Sequence, residues 1–331
     1  MTDDKPLAGN GAAPTSPPPG YLLPSSNPYA PPEGLAEFAT TFPVTQPPGK
    51  PRIWTVMVAL LALVAALVAA QIVAAIGLVI WYFSQGGTSA RIGAELLDVA
   101  VKPPAFILMA LAGQLAIGAV AITAAILSPV PFAKRLGLVR PRWSATQCAI
   151  AIVGSIVPFA IGMAGAYALA EVIDPDPSIK KMYEAMTPAW ALPFILFIAL
   201  APGFFEEIMF RGYVQQRLVK RWPAAAAILF TSFVFAIVHV APHAIVFAFA
   251  VGIWLGMLAW QTGSTWPGIV CHAAINGLWN VWQLGVRFEL FSEDPPLVLP
   301  IALGVIGVGA FAASLWLMFG RGQAADSTSA A

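Results

Sequence analysis

From about residue 53 onward the chain alternates long apolar runs with short polar joints. Crossing the ~30 Å hydrocarbon layer takes roughly 20 apolar residues as a helix. Runs approaching or exceeding that length lie near 53–83, 105–128, 145–172, 188–219, 224–240, 244–260, 266–283 and 297–319, the sixth and seventh being short. The pattern predicts an all-α polytopic membrane protein of about eight transmembrane helices. Residues 1–50, rich in Pro, Ser, Gly and Ala with repeated Pro-Pro steps, cannot bury enough apolar surface to fold and are expected to form a disordered cytoplasmic tail. The expected units are therefore this tail, residues 51–143 with two helices and a basic loop, residues 144–320 with helices three to eight, and a short polar tail at 321–331.

Composition agrees with the pattern. Apolar residues make up 59% and charged residues 10%, against about a quarter charged in soluble domains, so a soluble globular protein is excluded. The net charge of +1 gives no reason to expect a nucleic-acid partner. Cys148 and Cys271 both lie in apolar runs and form no disulfide framework. No cleavable signal peptide is visible before the first apolar run. Lys and Arg gather at 134–142 and 217–221 and flank the first and last runs, whereas the opposite joints carry fewer basic residues mixed with acids. By the positive-inside tendency both termini are expected in the cytoplasm, with the protein multi-pass in a bacterial plasma membrane.

One run breaks the apolar rule at its centre. Glu206, Glu207 and Arg211 lie within 188–219, where each charge facing hydrocarbon costs at least ~2.5–3.5 kcal/mol on insertion scales. Glu207 and Arg211 are i,i+4 with the acid first, the favourable order for a helical pair. Glu206 points about 100° away and has no basic partner on its own helix. The three histidines are His239, His243 and His272. His239 shares a face with Phe235 four residues earlier, and His272 shares one with Asn276 four residues later. A lone membrane histidine is usually bound to a carbonyl; a free Glu, a His and a His/Asn pair on separate helices together have the parts of a buried reaction centre. Measured from the intervening turn, Glu206 and His239 stand at ~22 and ~24 Å, nearly level. His272 instead falls about 15–20 Å lower if the sixth helix spans fully. Strong tilt, a break near Pro242 or a re-entrant segment at 241–248 would close that gap.

A buried carboxylate with a raised pKa suits general-base chemistry. Glu206 could activate a water against a peptide carbonyl, His239 could help position that water, and His272 and Asn276 could donate to the oxyanion. A Cys271–His272 nucleophile is weaker, because consecutive helical side chains diverge.

At these residues the sequence resembles the CPBP intramembrane proteases, which include type II CAAX prenyl proteases and bacterial Abi-type proteins. Glu206-Glu207-Ile-Met-Phe-Arg211 is similar to the family's Glu-Glu-x-x-x-Arg, Phe235-Ala-Ile-Val-His239 to its Phe-x-x-x-His, and His272-Ala-Ala-Ile-Asn276 to its His-x-x-x-Asn. The likeness spans about 188–283, the core of the fourth to seventh helices, and Arg-Leu-Gly-Leu-Val-Arg-Pro at 135–141 is similar to the loop before that core. It implies an intramembrane endopeptidase with Glu206 as base, His239 as its water-positioning partner, His272 and Asn276 as oxyanion donors, and Glu207, Arg211 and Phe235 in support. The expected substrate is a membrane-associated or lipidated peptide within the bilayer. A non-catalytic scaffold or bacteriocin-immunity factor is the alternative, and a proton-coupled transporter a more distant one, since no internal repeat is visible. No cofactor is expected. Zinc on Glu206, His239 and His272 is the metal variant, disfavoured because His-Glu-x-x-His is absent and a ligating Glu206 would leave no base.

Overall fold

The computed structural model describes residues 52–320, and the two expected tails lie outside them. All eight apolar runs fold as helix, and the described residues contain no strand. Helix α1 is Trp54–Ser84. A short helix α2, Ile92–Ala100, leads into α3, Pro103–Ile126. One turn, α4 at Phe132–Arg135, precedes α5, Ala145–Gly154, and α6, Ile156–Ala170. The third run is therefore two helices with a break at Ser155, and a capping box of Ser144 and Gln147 starts it. The short α7, Pro177–Ala185, precedes α8, Pro188–Glu207. Helix α8 continues as a π-helical stretch, Ile208–Gln215, and a last α turn, Gln216–Leu218. Then come α9, Ala224–Ile237; α10, Pro242–Thr262; α11, Trp266–Arg287; and α12, Val298–Leu315.

Six segments among the described residues are long and apolar enough to cross a membrane: Trp54–Ser84, Pro103–Ile126, Ala145–Ala170, Pro188–Leu218, Pro242–Thr262 and Val298–Gly320. The expected sixth run proves longer than its apolar stretch. The fifth is shorter: α9 has 14 residues and stops at Ile237, so His239 lies in the turn beyond it. Val240 closes that turn at φ 64°, a rare conformation for a β-branched residue. Helix α11 has the length to span, but its polar residues, His272, Asn276, Asn280 and Gln283, lower its apolar character.

Outward faces are apolar and inward ones are mixed, the arrangement expected of a chain solvated by acyl chains. Leu61 on α1 and Val305 on α12 are each 68% exposed, while Glu207 and Arg211 are wholly buried. Helix α8 packs against α11 and α3, α9 against α10, and α10 against α6. The α8–α11 contact is close because small residues face each other. A Cβ on Gly203 would lie 3.1 Å from Ala273 Cβ and 3.2 Å from Ile269 O. Such small-residue seams let membrane helices approach at backbone distance.

Helix register explains how His272 reaches the site. Arg211 donates to Gly252 O at 3.1 Å and Gln215 to Gly256 O at 2.8 Å, so α8 and α10 run parallel. Helix α11 runs antiparallel to α8, with Asn276 level with Ile198 and Gly268 beside Glu207. It therefore begins near the depth of Glu207, well above the end of α10. The joint Gly263–Thr265 makes that climb. Gly263 takes φ 66°, and the loop after α4 holds the joint in place. Thr265 N–H donates to Gly137 O (2.9 Å), Thr265 Oγ1 to Leu136 O (3.0 Å) and Ser264 Oγ to Val139 O (2.6 Å). The break near Pro242 is present, but residues 242–262 form one continuous helix and no re-entrant segment. The expected gap of 15–20 Å is closed by the high start of α11.

Candidate active site

The charged cluster sits where α3, α8 with its π-helical extension, α9, α10 and α11 meet. Glu206 is the next-to-last residue of α8 and is 6% exposed. Its Oε1 accepts a hydrogen bond from Gln114 Nε2 on α3 at 2.7 Å. Its Oε2 is buried without a hydrogen-bond partner and faces His272 Nε2 at 4.0 Å.

The expected Glu207–Arg211 pair is present, with Arg211 Nη1 donating to Glu207 Oε1 at 2.8 Å and both side chains fully buried. Arg211 also lies over the Phe235 ring, 4.1 Å from its centroid. Glu207 does more than balance that arginine. Its Oε1 also receives His272 Nδ1 at 3.1 Å. A carboxylate can only accept, so Nδ1 carries the proton, and the Nε2 of a neutral His272 presents a lone pair toward Glu206. Gly268 leaves room for this carboxylate, since a Cβ there would lie 2.9 Å from Glu207 Oε2.

His239, half-buried, directs Nδ1 to Phe235 O at 3.0 Å. By the same reasoning Nδ1 is protonated and Nε2 is its acceptor. No hydrogen bond joins His239 to Glu206 among the described residues. The two histidines meet through Phe235, whose ring stands edge-on to both, at 5.0 Å from His239 and 5.8 Å from His272. Asn276 is one turn farther along α11. Its Nδ2 donates to Ile198 O at 3.1 Å, which leaves one amide N–H for another acceptor. Its backbone carbonyl accepts from Asn280 Nδ2 at 2.8 Å, and Asn280 Oδ1 accepts from Tyr183 OH at 2.6 Å. Tyr183 in turn lines a cleft of about 790 Å³ with Tyr167, Lys180, His243, Trp282 and Arg287. Thus His243, outside the three motifs, belongs to this cleft, and hydrogen bonds connect the cleft to Asn276.

Gln114 is the site residue that reasoning from motifs missed. Its signal was a lone amide in the otherwise apolar run 105–126, the same kind of anomaly that singled out Glu206. Cys271 is fully buried in an apolar cluster with Trp254 and Leu255. Among the described residues no three His, Cys, Asp or Glu side chains are grouped at metal-ligating spacing. Glu206 Oε2 and His272 Nε2 face each other at 4.0 Å, and His239 is hydrogen-bonded to neither among the described residues.

Residues 188–278 match the family model of type II CAAX prenyl endopeptidases, Rce1-like. All three motifs, from Glu206 to Asn276, fall inside the matched span. No curated protein and no solved structure matches the chain.

Proposed function

We propose that the protein is an endopeptidase that hydrolyses a peptide bond of a membrane-associated or lipidated peptide by a water that Glu206 activates. The observation that carries this is the approach of Glu206 Oε2 to His272 Nε2 at 4.0 Å, with His272 Nδ1 bound to Glu207. A water donating to both through bonds of ~2.8 Å would subtend about 90° at its oxygen, close to its own H–O–H angle. Its lone pairs would then point away from both bases, toward an incoming carbonyl carbon. Glu206 takes the proton as the C–O bond forms, and returns it to the leaving amine as the C–N bond breaks.

The remaining residues support that step. Gln114 fixes the Glu206 carboxylate. Glu207 holds His272 by Nδ1, as a buried carboxylate orients the histidine of a catalytic triad, and Arg211 fixes Glu207 in turn. With Nδ1 committed to Glu207, His272 serves first as a water-positioning acceptor and becomes a donor to the oxyanion only when doubly protonated. The free Asn276 N–H is the oxyanion donor that needs no protonation change. His239 Nε2 offers a further acceptor at the rim. The mixed polar and aromatic cleft beside Tyr183 suits the polar part of a peptide, and the lipid-facing helices suit its apolar end. No metal enters this mechanism.

The test compares membrane-associated peptides from cells carrying the wild type and Glu206→Gln. The amide preserves the Gln114 contact but cannot take a proton, so the fold should persist and substrates should accumulate. Unchanged peptide profiles with a normally folded variant would favour the scaffold reading. Activity of purified enzyme should survive exhaustive chelation; its loss, with recovery on adding zinc, would replace the glutamate-base mechanism by a metal-centred one.

A further inference from the structure

A second cluster lies at the end of the bundle where α1 starts and where α3 and the α8 rod finish. Arg135 and Arg217 are 7% and 6% exposed. Arg135 Nε donates to Ser128 Oγ at 2.6 Å. Arg217 Nη1 donates to Thr55 Oγ1, and its guanidinium stacks 4.3 Å from the Tyr213 ring centroid. Arg217 Nε is buried and has no hydrogen-bond partner. The two arginines are neighbours because the loop after α4 packs on the end of α8: Leu136 O lies against Gly212, and Gly137 faces the Gln216 side chain. Lys134 and Lys220 are exposed at the rim.

The charges act on one another. Burial, and then Arg217, hold the Arg135 guanidinium below its ordinary range. Partial desolvation of the Lys220 ammonium, and then Arg135, Lys134 and Arg217, do the same to that lysine. None of the salt bridges among the described residues involves these four cations. Two buried guanidinium groups close enough to repel, without a counter-charge, are unfavourable unless an anion joins them. Guanidinium forks match the tetrahedral oxygens of a phosphate group. Position bears on the ligand too: the apolar spans bounded by Trp54, Ile126 and Leu218 have their ends here, and a bilayer crossed by those spans would bring its headgroups to this end of the bundle.

We propose that Arg135, Arg217, Lys134 and Lys220 form a binding site for a phosphate group, and that its depth fits the headgroup phosphate of an anionic phospholipid. The site lies at the ends of α1, α3 and α8, away from the Glu206 centre, and its occupancy does not depend on any catalytic activity.

The full chain, purified in detergent, can be offered phosphatidylglycerol, phosphatidylcholine or inorganic phosphate, and retained lipid counted by native mass spectrometry. The wild type should retain phosphatidylglycerol in preference to phosphatidylcholine. Lys134→Gln/Lys220→Gln, at exposed positions, should weaken that retention about tenfold or more, as expected for two lysines at a membrane surface. Arg135→Gln should remove the preference; if that variant fails to fold, the lysine pair alone decides. Displacement by millimolar inorganic phosphate, beyond that by chloride at equal ionic strength, would keep the phosphate site but assign it to a soluble phosphate compound. Equal retention of the two lipids with no phosphate binding, or retention unchanged in the lysine variant, would overturn the proposal.

Discussion

Replacing Arg211 by Met tests how the buried charges are shared. In the wild type Glu207 Oε1 receives Arg211 at 2.8 Å and His272 at 3.1 Å, with no solvent access to the carboxylate. Met fills much of the arginine's volume but leaves Glu207 ionised with the imidazole as its one remaining donor. Breaking a buried pair in this way costs ~3–5 kcal/mol. The lost stacking on Phe235 adds up to ~2 kcal/mol in a desolvated setting. Glu207→Gln should cost a similar ~3–5 kcal/mol by stranding Arg211. The double variant Glu207→Gln/Arg211→Met has no uncompensated charge, so its loss should fall several kcal/mol short of the sum of the singles. Thermal unfolding and denaturant titration of detergent-purified protein, with expression yield beside them, supply the cycle. Losses that add to within ~0.5 kcal/mol would show the two residues to be energetically independent and would refute the pairing argument.

Gln114→Leu should leave the fold intact yet lower hydrolysis about 10–100-fold by freeing the Glu206 carboxylate to turn, read as a fall in kcat with KM little changed. Gly203→Leu should force α8 from α11 and destabilise by ~1–3 kcal/mol or more, visible in thermal unfolding, because the neighbours of its new side chain include backbone atoms. Orientation can be read with single reporters: a cysteine at Arg140 should resist an impermeant thiol reagent in intact cells and one at Glu293 should react, while buried Cys148 and Cys271 give little background.

Much of this architecture was legible in the sequence because membrane solvation writes itself into long apolar runs. The Glu207–Arg211 contact followed from i,i+4 spacing alone. Tertiary contacts were not legible in that way. The link from Glu207 to His272 joins residues 65 apart and depends on where α11 starts. That start is set by three loop hydrogen bonds from Ser264 and Thr265, which no periodicity encodes. Gln114 was hidden for a related reason: an isolated amide in an apolar helix has no motif, and its partner is 92 residues away. The turn at 238–241 misled the boundary of α9, since Val238 and Val240 read as a continuation of the apolar run although Val240 adopts a left-handed conformation.

The shortness of α9 has a consequence for the membrane itself. Fourteen residues rise ~21 Å, about 9 Å less than a typical hydrocarbon layer. Hydrophobic mismatch of this size is met by local thinning of the bilayer, at fractions of a kcal/mol per Å. The leaflet above His239 should then dip toward the turn at Val240, bringing the water boundary down to the rim of the Glu206 centre. A polar peptide could reach the site without crossing a full leaflet, while its lipid-like portion stays in acyl chains. Activity in vesicles should accordingly decline as lipid chains lengthen and the dip becomes costlier. A rate independent of chain length, with the protein fully inserted, would mean that water reaches the site by another route.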